Sequence, residues 1–232
     1  MDGERKKIIG IWATVGLIIV LIIAGGLLVP QAYRKYEKSA GRTLPNIQAL
    51  ERDLEVVEQS GRTAHLGDLR GKIWVVGYVF TTCPGGCLGL TQEMASLQKE
   101  FAGDPDLHFV SVSVDPEHDR PEVLREWTSR SGVGGENWWF VTGDAKEVRN
   151  YMAKYFRFPV TENTDPEAVA QQGRWAHDTR LVLVDRRGMI RGYYDVLNVR
   201  SGDIYRKQLL EDIALLKAEP MPKDLEKSEA GL

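Results

Sequence analysis

The chain has 232 residues, 43% hydrophobic and 27% charged, a balance that suits a folded protein and excludes collagenous, low-complexity and wholly disordered chains. With 30 basic and 33 acidic residues the formal net charge is -3, which offers no basic field for a phosphate backbone and argues against nucleic-acid binding. Two cysteines exclude both a disulfide-rich scaffold and a four-thiolate zinc site.

Residues 1–7 form a short polar tail. Residues 8–29 then read IIGIWATVGLIIVLIIAGGLLV, an uncharged run that at about 1.5 Å per residue can cross a hydrocarbon core of roughly 30 Å, so one transmembrane anchor is expected over 8–30. A buried core helix would show a polar face, and a cleaved signal peptide a small-x-small site; the following VPQAYRKYEK has no such site in a clean position. Arg5, Lys6 and Lys7 before the span balance Arg34, Lys35 and Lys38 after it, so basic charge leaves the orientation open. A short tail inside and a large domain outside is the simple signal-anchor arrangement. It places the soluble domain outside the cytoplasm, on the periplasmic side of a bacterial inner membrane or its equivalent, where thiols meet an oxidising environment. Residues 31–46 read as a polar stalk, 47–217 as one domain, and 218–232, with two prolines and many charges, as a disordered tail.

Within the domain, 54–58 and 62–66 read as a hairpin turning at Ser60-Gly61. Residues 72–80, KIWVVGYVF, form a continuous apolar run of strand length, as expected for a strand covered on both faces. A helix is expected over 86–101, with Leu90, Met94, Leu97 and Phe101 on one face. A strand over 107–114, a helix over 121–131 with Pro121 in its first turn, a strand over 138–141 and a helix over 145–156 follow. A hairpin over 180–185 and 189–195 and a helix over 203–216 close the domain. The order implies an α/β domain: a thioredoxin-like mixed sheet flanked by helices, preceded by one N-terminal transmembrane helix. Adjacent aromatics at Trp138-Trp139 and Tyr193-Tyr194 read as strand residues pointing to opposite faces, and Arg186-Arg187-Gly188 as a turn with solvated charges.

The chemistry-bearing segment is Thr81-Thr82-Cys83-Pro84-Gly85-Gly86-Cys87, between a buried strand and a helix, at the carboxyl end where parallel sheets bind ligands. The N–H groups of the first helical turn favour the thiolate, the form needed for metal binding or disulfide exchange. A purely structural disulfide closing so short a loop would contribute only about 2 kcal/mol. Soft sulfur donors select Cu(I), zinc or iron–sulfur centres, and two thiolates with one imidazole would make a three-coordinate copper site. Of four histidines, His65 and His108 fall on strands as surface or packing residues. His118, in Asp115-Pro116-Glu117-His118-Asp119, lies past a strand end on the cysteine-loop side, a candidate ligand or docking residue. His177, in Trp175-Ala176-His177-Asp178-Thr179, is the best candidate, because its loop returns toward the cysteine loop in a thioredoxin-like topology. Two other classes stay open. One is a membrane-anchored thiol-disulfide oxidoreductase in which Cys83 and Cys87 exchange with a partner disulfide and no histidine is needed; the other is a redox or copper sensor docking through the acidic loop around His118.

Three segments, YVFTTCPGGC, VSVSVDPEHDRPEVLREW and WAHDTRLVLVDRRGMIRGYYD, together resemble the Sco (SenC/PrrC) family of membrane-anchored, thioredoxin-like copper proteins, a likeness spanning about 54–216. The resemblance implies that Cys83, Cys87 and His177 are the copper ligands, for Cu(I) with Cu(II) as the other state. It further implies a metallochaperone, with thiol-disulfide oxidoreductase activity left open, one that delivers copper to the binuclear copper centre of cytochrome c oxidase subunit II or keeps its thiols reduced. This chain departs from the family pattern at Gly85 and Gly86, where bulkier residues are usual, at Leu88, where proline is usual, and at Ala176, where an acidic residue commonly precedes the histidine. The glycine pair implies a looser loop.

Overall fold

Among the described residues, chain order gives ten strands: β1 (Gln48–Ala49), β2 (Glu55–Glu58), β3 (Thr63–His65), β4 (Ile73–Val79), β5 (Leu107–Ser113), β6 (Trp138–Thr142), β7 (Thr161–Glu162), β8 (Trp175–Ala176), β9 (Leu181–Val184) and β10 (Met189–Tyr194). The helices are α1 (Gly86–Glu100), α2 (Pro121–Ser131), α3 (Ala145–Tyr151), α4 (Pro166–Gln172) and α5 (Gly202–Ala218). The computed structural model describes residues 42–84 and 86–225, with Gly16 alone ahead of them, and only the backbone of Gly86 and Cys87. The expected anchor at 8–30 otherwise lies outside the described residues, as do most of the stalk and residues 226–232. Among the described residues no helix is long and apolar enough to cross a membrane.

Eight strands form one sheet in the order β1-β10-β9-β4-β5-β6-β2-β3. β4, β5 and β6 run parallel, and the strands flanking them pair antiparallel. Every residue of β4 and of β5 is buried, which is why their sequences run apolar without alternation. Their side chains still alternate between the two faces. Ile73, Val75 and Val79 meet Leu90, Met94 and Leu97 of α1, Leu124 of α2, and Leu209 and Ile213 of α5. Trp74, Val76, Tyr78 and Phe80 meet Val148, Tyr151, Met152 and Phe156 on the opposite face. Gly77 lets α1 approach: a Cβ there would lie 3.0 Å from Leu181 and 3.1 Å from the Met94 sulfur.

The thioredoxin-like order read from the sequence is present, with several differences. The helix expected over 145–156 is α-helical only to Tyr151, where Asp144 caps its start by accepting from the Glu147 N–H at 2.9 Å. Its last turn, Met152–Phe156, widens to a π turn ended by Arg157 in the left-handed conformation. β7, α4 and β8 were not anticipated. They form an excursion between α3 and β9 in which β7 and β8 pair as a separate two-stranded ladder and α4 buries no residue.

The folded unit also starts earlier than expected, since Leu44 is buried, and it extends past 218, since the Glu219 carboxylate pairs with Arg191 at 3.0 Å. Arg186 corrects the reading of its turn as solvated. Its side chain is buried and donates to the Leu216 carbonyl at 2.7 Å and to the Asp106 carboxylate at 3.1 Å, while Arg187 is the exposed member. Trp138 is wholly buried, whereas Trp139 packs on the other face against the His108 ring at 4.7 Å.

Burial pushes His108 down to about 4, with Lys72 adding repulsion to the protonated form. A depressed histidine contributes stability above its unfolded value near 6.5 that is lost as pH falls toward its folded value. Unfolding free energy should therefore drop by about 3 kcal/mol between pH 6.5 and 4 on this account. In His108→Phe, that part of the acid dependence should vanish from pH-resolved denaturation curves; an unchanged slope would refute it.

Candidate metal centre

β4 ends at Val79, whose carbonyl accepts from the Val114 N–H at 2.9 Å, and the chain then leaves the sheet. A tight turn follows in which the Cys83 N–H donates to the Phe80 carbonyl at 3.0 Å, and α1 begins at Gly86. Cys83 is a free, half-buried thiol packed against the core on the Trp74–Phe80 face. Cys87 lies in the first turn of α1 by its backbone, and its side chain is outside the described residues.

His177 follows β8. Its ring meets the edge of Tyr78 at 5.7 Å and of Phe80 at 6.4 Å, so it borders the same Phe80 that anchors the cysteine turn. Gly173 sits at the other contact between the two loops: a Cβ there would lie 2.7 Å from the Phe80 ring and 3.2 Å from Pro84. Burial pushes the His177 imidazole below its ordinary value, which keeps it neutral at neutral pH. His177 Nδ1 is 2.9 Å from the Asp178 carbonyl, a contact that requires the proton on Nδ1 and puts the neutral ring's lone pair on Nε2. The Asp178 carboxylate is committed elsewhere, to the Arg180 guanidinium at 2.6 Å and the Arg180 N–H at 2.9 Å. Where Ala176 replaces the family's usual acidic residue, a backbone carbonyl thus orients the ring. Tyr78, beneath it, donates to the Phe158 carbonyl at 2.8 Å, and burial raises its phenol.

His118 sits beside the cysteine turn, half-exposed, with Nδ1 3.1 Å from Asp119 Oδ1 and 3.4 Å from the Thr81 hydroxyl. His65 pairs with Asp53 at 3.0 Å on the outermost hairpin. His108 opens β5, at the opposite end of the parallel strands from Cys83. Among the described residues no group of three His, Cys, Asp or Glu side chains is gathered for a metal. Of the three expected donors, Cys83 and His177 are described in full, and they supply a thiol and a neutral imidazole, the soft and borderline donors that suit Cu(I).

Sequence reasoning missed the groups that brace these loops. The Arg149 guanidinium lies 4.1 Å from the Trp175 ring, two residues before His177, and pairs with Glu117 at 2.7 Å. Asp115 is buried beside it; burial first, then the negative charges of Glu117 and Asp119, raise its carboxyl. Nothing in the local sequence marks Arg149 as a partner of Trp175, 26 positions away; the acidic run 115–119 was the one visible signal.

The fold is that of a thioredoxin-like protein, with a thiol just past the carboxyl end of the central strand β4 and an imidazole in the neighbouring loop. The SCO1/SenC family model matches residues 43–209, and the chain belongs to that family. It is 30% identical over 149 residues to the SCO1 protein homolog of Bacillus subtilis, covering 63% of this chain and 74% of that one. A SCO1/SenC family lipoprotein from Bacillus anthracis superposes with a TM-score of 0.60 at 28% identity, covering 73% of this chain and 97% of that structure. The structure of Bradyrhizobium japonicum ScoI with copper bound shares the fold, with a TM-score of 0.55 at 19% identity over 69% of this chain and 97% of that one.

Proposed function

We propose that this protein is a copper carrier in which Cys83, Cys87 and His177 hold Cu(I), acting in assembly of the binuclear copper centre of cytochrome c oxidase subunit II. The observation that carries the reading is that Phe80 touches both loops: its carbonyl accepts from the N–H of the free Cys83, and its ring meets the neutral, carbonyl-oriented His177. Copper bound in the Bradyrhizobium relative supports the choice of metal. Copper is cargo here. Three protein donors leave a position at which an incoming thiolate or imidazole can bind before the old ones leave, which a closed four-ligand site would not allow. Both sulfurs must deprotonate, so affinity falls with acid. The anchor at 8–30 would tether the domain outside the cytoplasm, on the same side as its target.

The test is titration of the reduced full chain in nonionic detergent with Cu(I) against a chromophoric competitor. One tight equivalent is expected. His177→Ala should weaken it by at least about tenfold, the scale of losing one donor, and Cys83→Ser should weaken it further. If binding is weak or indifferent to His177, the copper reading fails. The Cys83–Cys87 pair is then a thiol-disulfide centre, to be assayed by exchange with a subunit II peptide.

A further inference from the structure

Asp119 is a carboxylate with no exposed side-chain surface, two residues ahead of α2. Its backbone N–H already serves the local turn by donating to the Asp115 carbonyl at 2.8 Å. Its side chain is spent elsewhere. Oδ1 accepts from the Thr81 hydroxyl and from His118 Nδ1 at 3.1 Å; Oδ2 accepts from the Ser113 hydroxyl at 2.8 Å and, at 3.4 Å, from the Thr81 N–H. Ser113 is itself fixed by the Asp115 N–H, which donates to its hydroxyl at 3.0 Å. A buried carboxylate therefore grips Thr81 at two points, two residues before Cys83 and beyond the last ladder bond of β4.

We propose that Asp119 is a positioning residue for the thiol pair: by clamping Thr81 it sets the path of the cysteine loop and so the balance between its dithiol, copper-loaded and disulfide forms. The need for such a clamp lies downstream. Gly85 and Gly86 carry no side chain with which to brace the segment joining the two cysteines. Bracing therefore falls to the residues at its entering end. The clamp fixes that end through hydrogen bonds to a carboxylate with no exposed surface, where such bonds are stronger than in water. The inference deepens the copper reading and rests on it for the loaded form, but the dithiol–disulfide equilibrium involves no metal and tests the clamp independently.

The experiment compares Thr81→Val, which keeps shape and loses the hydroxyl, with Thr81→Ser, which keeps the hydroxyl, in the full detergent-solubilised chain. The metal-free reading is the equilibrium constant of the Cys83–Cys87 pair against a reduced/oxidised glutathione couple, trapped by alkylation; the second is Cu(I) affinity by competition. Losing the hydrogen bond to this buried carboxylate should move each by about tenfold in Thr81→Val, and by no more than about twofold in Thr81→Ser. Asp119→Asn should shift the redox constant in the same direction as Thr81→Val. The redox constant decides. If Thr81→Val folds with wild-type melting behaviour and an unchanged constant, or if Thr81→Ser is as altered as Thr81→Val, Asp119 is merely structural and the proposal is overturned. A shifted redox constant with no tight Cu(I) binding in any form would uphold the clamp while defeating the copper reading.

Discussion

Arg191→Ala should lower stability by about 3–5 kcal/mol, the usual cost of removing one partner from a buried ion pair. The arginine lies on β10 with a side chain only 7% exposed, and it ties both ends of the folded unit to the sheet. Its guanidinium meets Asp185 at 2.8 Å and the Glu219 carboxylate at 3.0 Å, and donates to the carbonyls of Leu44 at 2.9 Å and Pro45 at 3.0 Å. Truncation leaves Asp185 buried without its counter-charge and two carbonyls without a donor. For a domain of this size the loss corresponds to a fall in melting temperature of about 6–20 °C, read by circular dichroism of the full chain. The double variant Arg191→Met with Asp185→Asn removes both charges and should recover most of the loss; if it is as unstable as the alanine variant, the buried pair is not the cause. Copper affinity of the folded fraction should be unaltered, because Arg191 sits far along β10 from the cysteine loop.

That arginine also marks where sequence reading stops. β4 and β5 were legible because a strand buried on both faces writes itself as an apolar run, and α1 because Leu90, Met94 and Leu97 recur at helical spacing. The two cysteines fell at a strand–helix junction, and that alone marked the candidate site. By contrast, α4 buries nothing and so carries no hydrophobic period, while β7 and β8 are two residues each. Their pairing depends on contacts distant in sequence, such as Thr161 with Ala176, and local propensity cannot report it. The burial of Arg186 and Arg191 was hidden for a related reason: charged residues in a hairpin are ordinarily solvated, and only the return of the C-terminal segment, with Leu216 and Glu219, encloses them. The Thr81–Asp119 bond joins residues 38 apart across two loops. Both ends had been read as parts of motifs, but a spacing in sequence does not say which polar groups will share a dry space. The departure at Ala176 could be seen in the sequence, yet its resolution could not, since it is a main-chain carbonyl that orients His177.

Gly173→Ala should damage the site more than the fold. Gly173 ends α4 at a φ of 84° and ψ of -179°, a region that is essentially reserved for glycine. Forcing alanine into it costs on the order of 1–3 kcal/mol in strain. The added methyl would also sit 2.7 Å from the Phe80 ring and 3.2 Å from Pro84, so something must shift. Phe80 is fixed from behind by the core and its carbonyl holds the Cys83 N–H, while Gly173 leads directly into β8 and His177. The excursion has few buried anchors and is the part free to yield. Separating it from the cysteine turn opens the gap between Cys83 and His177, and Cu(I) affinity should fall by about tenfold or more. Gly188→Ala is the matched control: its φ of 76° makes alanine similarly strained, but the nearest atom to the new methyl is Leu50 Cβ at 3.9 Å, remote from the centre. It should lose comparable stability and bind Cu(I) as the parent does. Competition titration of both variants separates the cases; equal affinities in the two would mean that the Gly173 contact does not hold the loops together.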